Sequence, residues 1–241
     1  MTPPPPSPPG PPWDRPRILP CGEAALTVEL GDRIAPEIHE RVVALGKALE
    51  GIPGVGALVP TYRSLFVEYD PLEISYEALC LRVEAAAAGA TRAAARTEPS
   101  PVVEIPVCYH PDLGPDLEDL ARRHGLTPAE VARLHTAPTY RVYMLGFTPG
   151  FLFLGGLDPR LHTPRRPEPR QRVAAGSVGI AGAQTGVYAI ESPGGWQLIG
   201  RTPLRMFDPS RENPAVALPG MGVRFRAIDM ETFHRMAGGE P

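Results

Sequence analysis

The chain has 241 residues, 43% of them hydrophobic, and a formal net charge of −3. That is long enough to bury a real core in one large or two small domains, and the slightly acidic balance argues against nucleic-acid binding, which needs a basic surface. Cys21, Cys80 and Cys108 are odd in number and far apart, which excludes a disulfide framework or zinc ribbon; with no apolar run near the ~18 residues of a membrane span and no secretory leader, a cytoplasmic protein with reduced thiols is expected.

Residues 1–17 hold nine prolines and read as a disordered or polyproline tail. Residues 18–90 read as a small α/β domain. Leu26, Val28 and Leu30 alternate with Thr27 and Glu29, as in a half-buried strand. Ile38, Val42, Leu45 and Leu49 share one helical face behind Pro36. Leu65, Val67 and Tyr69 alternate again, and Ser75 can cap a helix carrying Leu79 and Val83. With short strands at 18–21 and 55–61 the order is ββαββα, which predicts a two-layer sandwich with both helices on one sheet face. Residues 91–101, rich in alanine, arginine and proline, fit a linker. The second domain, residues 102–238, opens with a strand over 102–109 and two short helices, the second announced by the capping box Thr127-Pro128-Ala129-Glu130. From Pro138 onward short strands alternate with Gly/Pro turns, the pattern of a compact β-barrel.

The chemistry is concentrated in residues 141–208. Glycines there allow close backbone approach, prolines fix loop shape, and arginines present planar forks suited to carboxylates and phosphates. A sharp turn is expected over Gly146–Phe151, stiffened by Pro149, with Gly150 inside it and Phe147 and Phe151 available as pocket walls; two core phenylalanines are the plainer alternative. Arg160, Arg165, Arg166, Arg170 and Arg172 lie within thirteen residues with only Glu168 opposing them. Prolines 164, 167 and 169 hold that loop extended, which lowers the entropy lost on binding an anion. Gly176-Ser177 and Gln184-Thr185 flank a strand and offer hydroxyl and amide groups, against a plain role in turns. Trp196, after Ser192-Pro193-Gly194-Gly195, is core or a platform beside Arg201-Thr202.

What is missing is equally informative. Lys47 is the only lysine, and no P-loop occurs. The six histidines lack metal spacing, so no metal site is expected. No serine stands in a G-x-S-x-G elbow, and the catalytic residues stay unassigned. His135 reads most simply as a helix C-terminal group, and His162 lies near the arginine loop.

The ordered segments Gly146-Phe147-Thr148-Pro149-Gly150-Phe151, Pro164-Arg165-Arg166, Ala175-Gly176-Ser177, Gln184-Thr185-Gly186, Ser192-Pro193-Gly194-Gly195-Trp196 and Gly200-Arg201-Thr202-Pro203-Leu204 resemble the family of B-type 5-oxoprolinase subunits, also known as the KipI or allophanate hydrolase subunit 1 family. The resemblance covers roughly residues 18–228. It implies an α+β chain, with an N-terminal two-layer DCoH-like α/β domain followed by a cyclophilin-like β-barrel. It implies ATP-dependent opening of 5-oxo-L-proline to L-glutamate by a complex with A-type and C-type subunits, the ATP being used by the assembly and the lone chain being inactive. It selects Arg165, Arg166 and Arg170 as contacts for a small anionic substrate. Alternatives within the resemblance are a KipI-type inhibitor of a sensor histidine kinase and a carboxyltransferase-like subunit acting on urea or allophanate.

Overall fold

Two apolar periodicities, one of strands and one of helices, converge on the first core. The computed structural model describes residues 13–94 and 100–238, and the chain divides into two units, Met1–Glu98 and Pro99–Pro241. In the first, β1 (Arg17–Pro20), β2 (Ala25–Glu29), α1 (Pro36–Leu49), β3 (Val55–Pro60), β4 (Ser64–Tyr69) and α2 (Tyr76–Ala94) follow the expected ββαββα order. The sheet is antiparallel, in the order β1-β2-β4-β3. Leu26, Val28, Leu65 and Val67 share a sheet face and meet Ile38, Val42, Leu45 and Leu49 of α1 and Leu79 and Val83 of α2 in one buried cluster. Each such side chain contributes about 1.5–3 kcal/mol. The Ala78 N–H donates to Ser75 Oγ at 3.2 Å, capping α2. That helix runs to Ala94, into residues whose composition reads as linker, because Ala and Arg are strong helix formers. Residues 1–12 of the expected tail and 95–99 of the expected linker lie outside the described residues.

The second unit begins with β5 (Val102–Cys108), α3 (Leu117–Arg123) and α4 (Pro128–Thr136). The capping box at α4 is present in both directions. The Glu130 N–H donates to Thr127 Oγ1 at 3.2 Å and the Thr127 N–H to Glu130 Oε2 at 2.8 Å, a device worth about 1 kcal/mol. Then come β6 (Tyr140–Gly146), β7 (Thr148–Gly155), a 3-10 turn at Pro159–Leu161, β8 (Arg170–Val173), β9 (Ser177–Ala181), β10 (Gln184–Val187), β11 (Ser192–Gly194), β12 (Gln197–Arg201), β13 (Gly222–Ile228) and α5 (Met230–Ala237).

Seven strands close a barrel in the order β10-β7-β6-β13-β5-β12-β9, with β9 returning to β10. Closure removes the sheet edges. One neighbouring pair, β13 and β5, is parallel, in register from Gly222↔Val102 to Ile228↔Cys108. Ile105, Val107, Val142, Leu152, Leu154, Val178, Ile180 and Val223 belong to the core of this unit. β8 and β11 form a separate two-stranded ribbon. The architecture is α+β: a DCoH-like two-layer unit followed by a cyclophilin-like barrel. No described helix is long and apolar enough to cross a membrane.

Candidate functional site

β6 and β7 make a tighter hairpin than expected. Gly146 pairs with Thr148, so the turn is centred on Phe147, and Pro149–Phe151 already belong to β7. Phe147 has φ 64°, alone among the described non-glycine residues in the left-handed region. That conformation costs a residue with a Cβ on the order of 1–3 kcal/mol. It leaves the Phe147 ring 63% exposed, edge-on to Phe151 (5.6 Å) and Tyr188 (6.3 Å). Phe151 in turn meets Tyr188, Phe153 and Trp196 at 5.0, 4.7 and 5.4 Å, within the range of favourable offset and edge-to-face aromatic pairs.

These five rings wall a cavity of about 260 Å³, completed by Pro169, Pro193, Gly194, Gly195 and Arg165. Glycine is required at its border: a Cβ on Gly194 would strike the Tyr188 hydroxyl, and one on Gly186 would stand 3.1 Å from both Phe151 and Trp196. Burial pushes the Tyr188 phenol above its ordinary pKa, against the opposing pull of the Trp196 backbone N–H, Arg165 and Arg170. A larger depression of about 450 Å³ lies on the first unit. Its carboxylates are engaged locally, Glu68 by the Ala57 N–H and Asp70 by the Leu72 N–H.

The arginine loop is wired differently from the sequence expectation. Its counter-ion comes from 50 residues upstream. Asp116, only 4% exposed, accepts from Arg166 Nη1 at 3.0 Å, Arg170 Nη2 at 2.7 Å and the Leu198 N–H at 2.7 Å. Arg166 and Arg170, expected to hold a ligand anion, hold this carboxylate instead. Arg172 pairs with Glu191 and Arg160 with Asp158. Arg165 makes no salt bridge among the described residues, and it lines the cavity. Two further bonds lace the loop to the Trp196 turn: the Arg166 N–H donates to Gly195 O at 2.7 Å and Gln197 Nε2 to Pro164 O at 3.0 Å.

Of the predicted residues, the structure brings Phe147, Phe151, Arg165 and Trp196 together at the cavity; the others lie off its lining. Pro149 is exposed, and Gly150 backs onto Phe207 and Ala189. Gly176 and Ser177 bracket Tyr188 through the backbone, Gly176 N–H to Tyr188 O at 2.7 Å and Tyr188 N–H to Ser177 O at 2.9 Å. Arg201 Nε donates to Ala175 O at 2.7 Å, and Thr202 Oγ1 accepts the Leu204 N–H at 3.2 Å. Gln184 opens β10 opposite Ala181.

Thr185 is fully buried and donates to Gly179 O at 3.0 Å. Its single proton thus committed, Thr185 Oγ1 accepts from His135 Nε2 at 2.8 Å. That assignment leaves His135 Nδ1 to accept from the Tyr109 hydroxyl at 2.7 Å. The His135 ring is stacked on Phe225 at 4.5 Å, inside the barrel rather than against its helix end. Burial lowers its pKa to about 3, so it is neutral. His162 donates to Leu157 O at 3.2 Å.

The sequence pattern did not point to Phe153, Tyr188, Pro169, Pro193 or Asp116. Phe153 carried a signal, since residues i and i+2 of a strand share a face. Tyr188 and Asp116 carried none, being defined by partners distant in sequence. No group of three or more His, Cys, Asp or Glu among the described residues is placed to hold a metal ion.

A closed barrel with a laced arginine loop and an aromatic cavity places the chain in a known class. It belongs to the family described as carboxyltransferase domain, subdomain C and D, which matches residues 16–217. Within that class it belongs with the B-type subunits of 5-oxoprolinase. It is 41% identical over 234 residues to the 5-oxoprolinase B-subunit of Bacillus subtilis (strain 168), covering 90% of this chain and 95% of that one. Among solved structures, TTHA0988 is 41% identical with a TM-score of 0.74, covering 85% of this chain and 40% of that chain. The Kluyveromyces lactis urea carboxylase shares the fold at 21% identity and a TM-score of 0.68, over 91% of this chain and 22% of that one.

Proposed function

We propose that this chain is the B-type component of an ATP-dependent 5-oxoprolinase, opening 5-oxo-L-proline to L-glutamate together with A-type and C-type subunits. The observation that carries the reading is the aromatic cavity with Arg165 on its wall. A five-membered lactam has two flat faces for the rings of Phe151, Phe153 and Trp196, and one carboxylate for a guanidinium fork. The Tyr188 phenol oxygen accepts the Trp196 N–H, which leaves the phenol proton for a lactam or carboxylate oxygen. The name of the Bacillus subtilis relative supports the same reading.

ATP does not fit this cavity. At about 260 Å³ it is below the roughly 300–1,000 Å³ of pockets that enclose larger ligands, and Arg165 is the one cation on its wall, with no P-loop anywhere in the chain. ATP is therefore assigned to the assembled complex, on a partner. In TTHA0988 the matching region fills 40% of a longer chain, which supports a module that works beside further polypeptide.

The test is co-expression with gene neighbours resembling A-type and C-type subunits, followed by assay of 5-oxoproline-dependent ATP hydrolysis and glutamate release. A stable complex with coupled turnover is expected, and none from the lone chain. Turnover by the pure chain, or a complex indifferent to 5-oxoproline, refutes the proposal.

A further inference from the structure

The loop that borders the cavity carries five arginines, and its composition suggests a site for a highly charged anion. Its ion pairs give a different charge. Asp116 lies between Arg166 and Arg170 and is itself held by the Leu198 N–H. The remaining polar atoms Arg166 Nε and Arg170 Nη1 are buried without partners, so they do not reach a ligand in the cavity. Arg172 and Arg160 are paired with Glu191 and Asp158. Glu168 does not line the cavity. One positive charge, Arg165, faces an otherwise aromatic and glycine-lined space.

From this we infer that the cavity selects ring compounds bearing a single negative charge, and that Asp116 sets the selectivity by cancelling the charge of its two arginine neighbours. A dianion placed among these rings loses its water and meets one guanidinium, leaving a buried charge uncompensated. A monocarboxylate is matched. The site thus takes the ring in its unphosphorylated form, and any phosphoryl group added during turnover must meet cations of another chain. The inference deepens the 5-oxoprolinase reading and rests on it only for the identity of the ring.

Isothermal titration of the full chain at pH 8 tests it with three probes: 5-oxo-L-proline, cyclopentanecarboxylate, and cyclopentyl phosphate, which is dianionic at that pH. The wild-type protein is expected to bind the two carboxylates at least about ten-fold tighter than the phosphate, the scale of one charge-assisted contact, and to lose that binding in Arg165→Ala. Asp116→Asn is expected to move the preference about ten-fold or more toward the phosphate. Asp116→Asn combined with Arg170→Met, which removes one charge of each sign, is expected to restore the wild-type order, an outcome that a purely structural role for Asp116 does not produce.

If Asp116→Asn does not fold, the wild-type order decides alone: phosphate bound as tightly as carboxylate overturns the inference. Binding of cyclopentanecarboxylate but not of 5-oxo-L-proline sinks the substrate assignment and leaves the charge rule standing. Arg165-independent binding, or no binding by any probe, removes both.

Discussion

Two halves of the expected site behave oppositely in the folded barrel. Phe147, Phe151, Arg165 and Trp196 open onto a cavity, whereas Gly176, Ser177, Thr185, Arg201 and Thr202 make hydrogen bonds to the chain itself. The reason is elementary. Small polar residues at glycine turns lie within reach of backbone groups that must be satisfied when buried. Large rings at a hairpin tip cannot all be buried together, and the space they leave is a pocket. The polar half still contributes, since Gly176 and Ser177 grip the backbone of Tyr188, a cavity wall.

The comparison breaks first where the interior network is broken. His135→Ala removes a ring stacked on Phe225 and strips Thr185 and Tyr109 of a partner. A loss of about 3–5 kcal/mol in urea unfolding is expected, comparable to other large-to-small core changes, with ligand affinity of the folded fraction unchanged. A drop in affinity matching the loss in stability would show that the two halves are one site.

Acid comes next. His135 has a folded pKa of about 3, against roughly 6.5 in an unfolded chain. The unfolded state therefore binds the proton first. Its contribution to stability is complete above pH 6.5 and declines, by about 1.4 kcal/mol per pH unit, as the pH falls toward 3. Stability of the wild type minus that of His135→Phe, measured from pH 7 to 4, should show this one-proton slope; parallel curves would refute a buried neutral imidazole.

Arg165 and Arg201 provide the sharpest contrast at intermediate size. Arg165→Ala should leave stability within about 0.5 kcal/mol yet weaken ligand binding by about 1.5–3 kcal/mol. Arg165→Lys should recover part of that, lacking the fork. Arg201→Ala should leave binding within about two-fold, a change inside the usual surface range. Equal losses at both arginines, by titration, would restore the undivided site. The smallest effect belongs to Phe147→Gly. Relief of the left-handed backbone offsets the lost ring contacts, so unfolding free energy should move by less than about 1 kcal/mol while affinity falls a few-fold.

Much of the fold was legible because it rests on local periodicity. The alternation in β2 and β4, the apolar stripe of α1 and the capping box of α4 each involve residues two to four apart, and all appear as expected. The site was legible only in part. The ring pair Phe147 and Phe151 and the glycine turn before Trp196 are local features, and they were found. The partner of Arg166 and Arg170 was not, because Asp116 lies 50 and 54 residues away.

Local sequence suffices for the strands, helices and turns, and for the gathering of aromatic and basic side chains in one stretch, since each follows from steric and solvation preferences over a few neighbouring residues. Closure of the barrel supplied the rest. It brought Asp116 beneath the arginine loop, Thr185 against His135 and Tyr188 beside Gly194. Whether an arginine is a ligand for substrate or a counter-ion for its own fold depends on which carboxylate the long-range packing places beside it, and no local pattern carries that information.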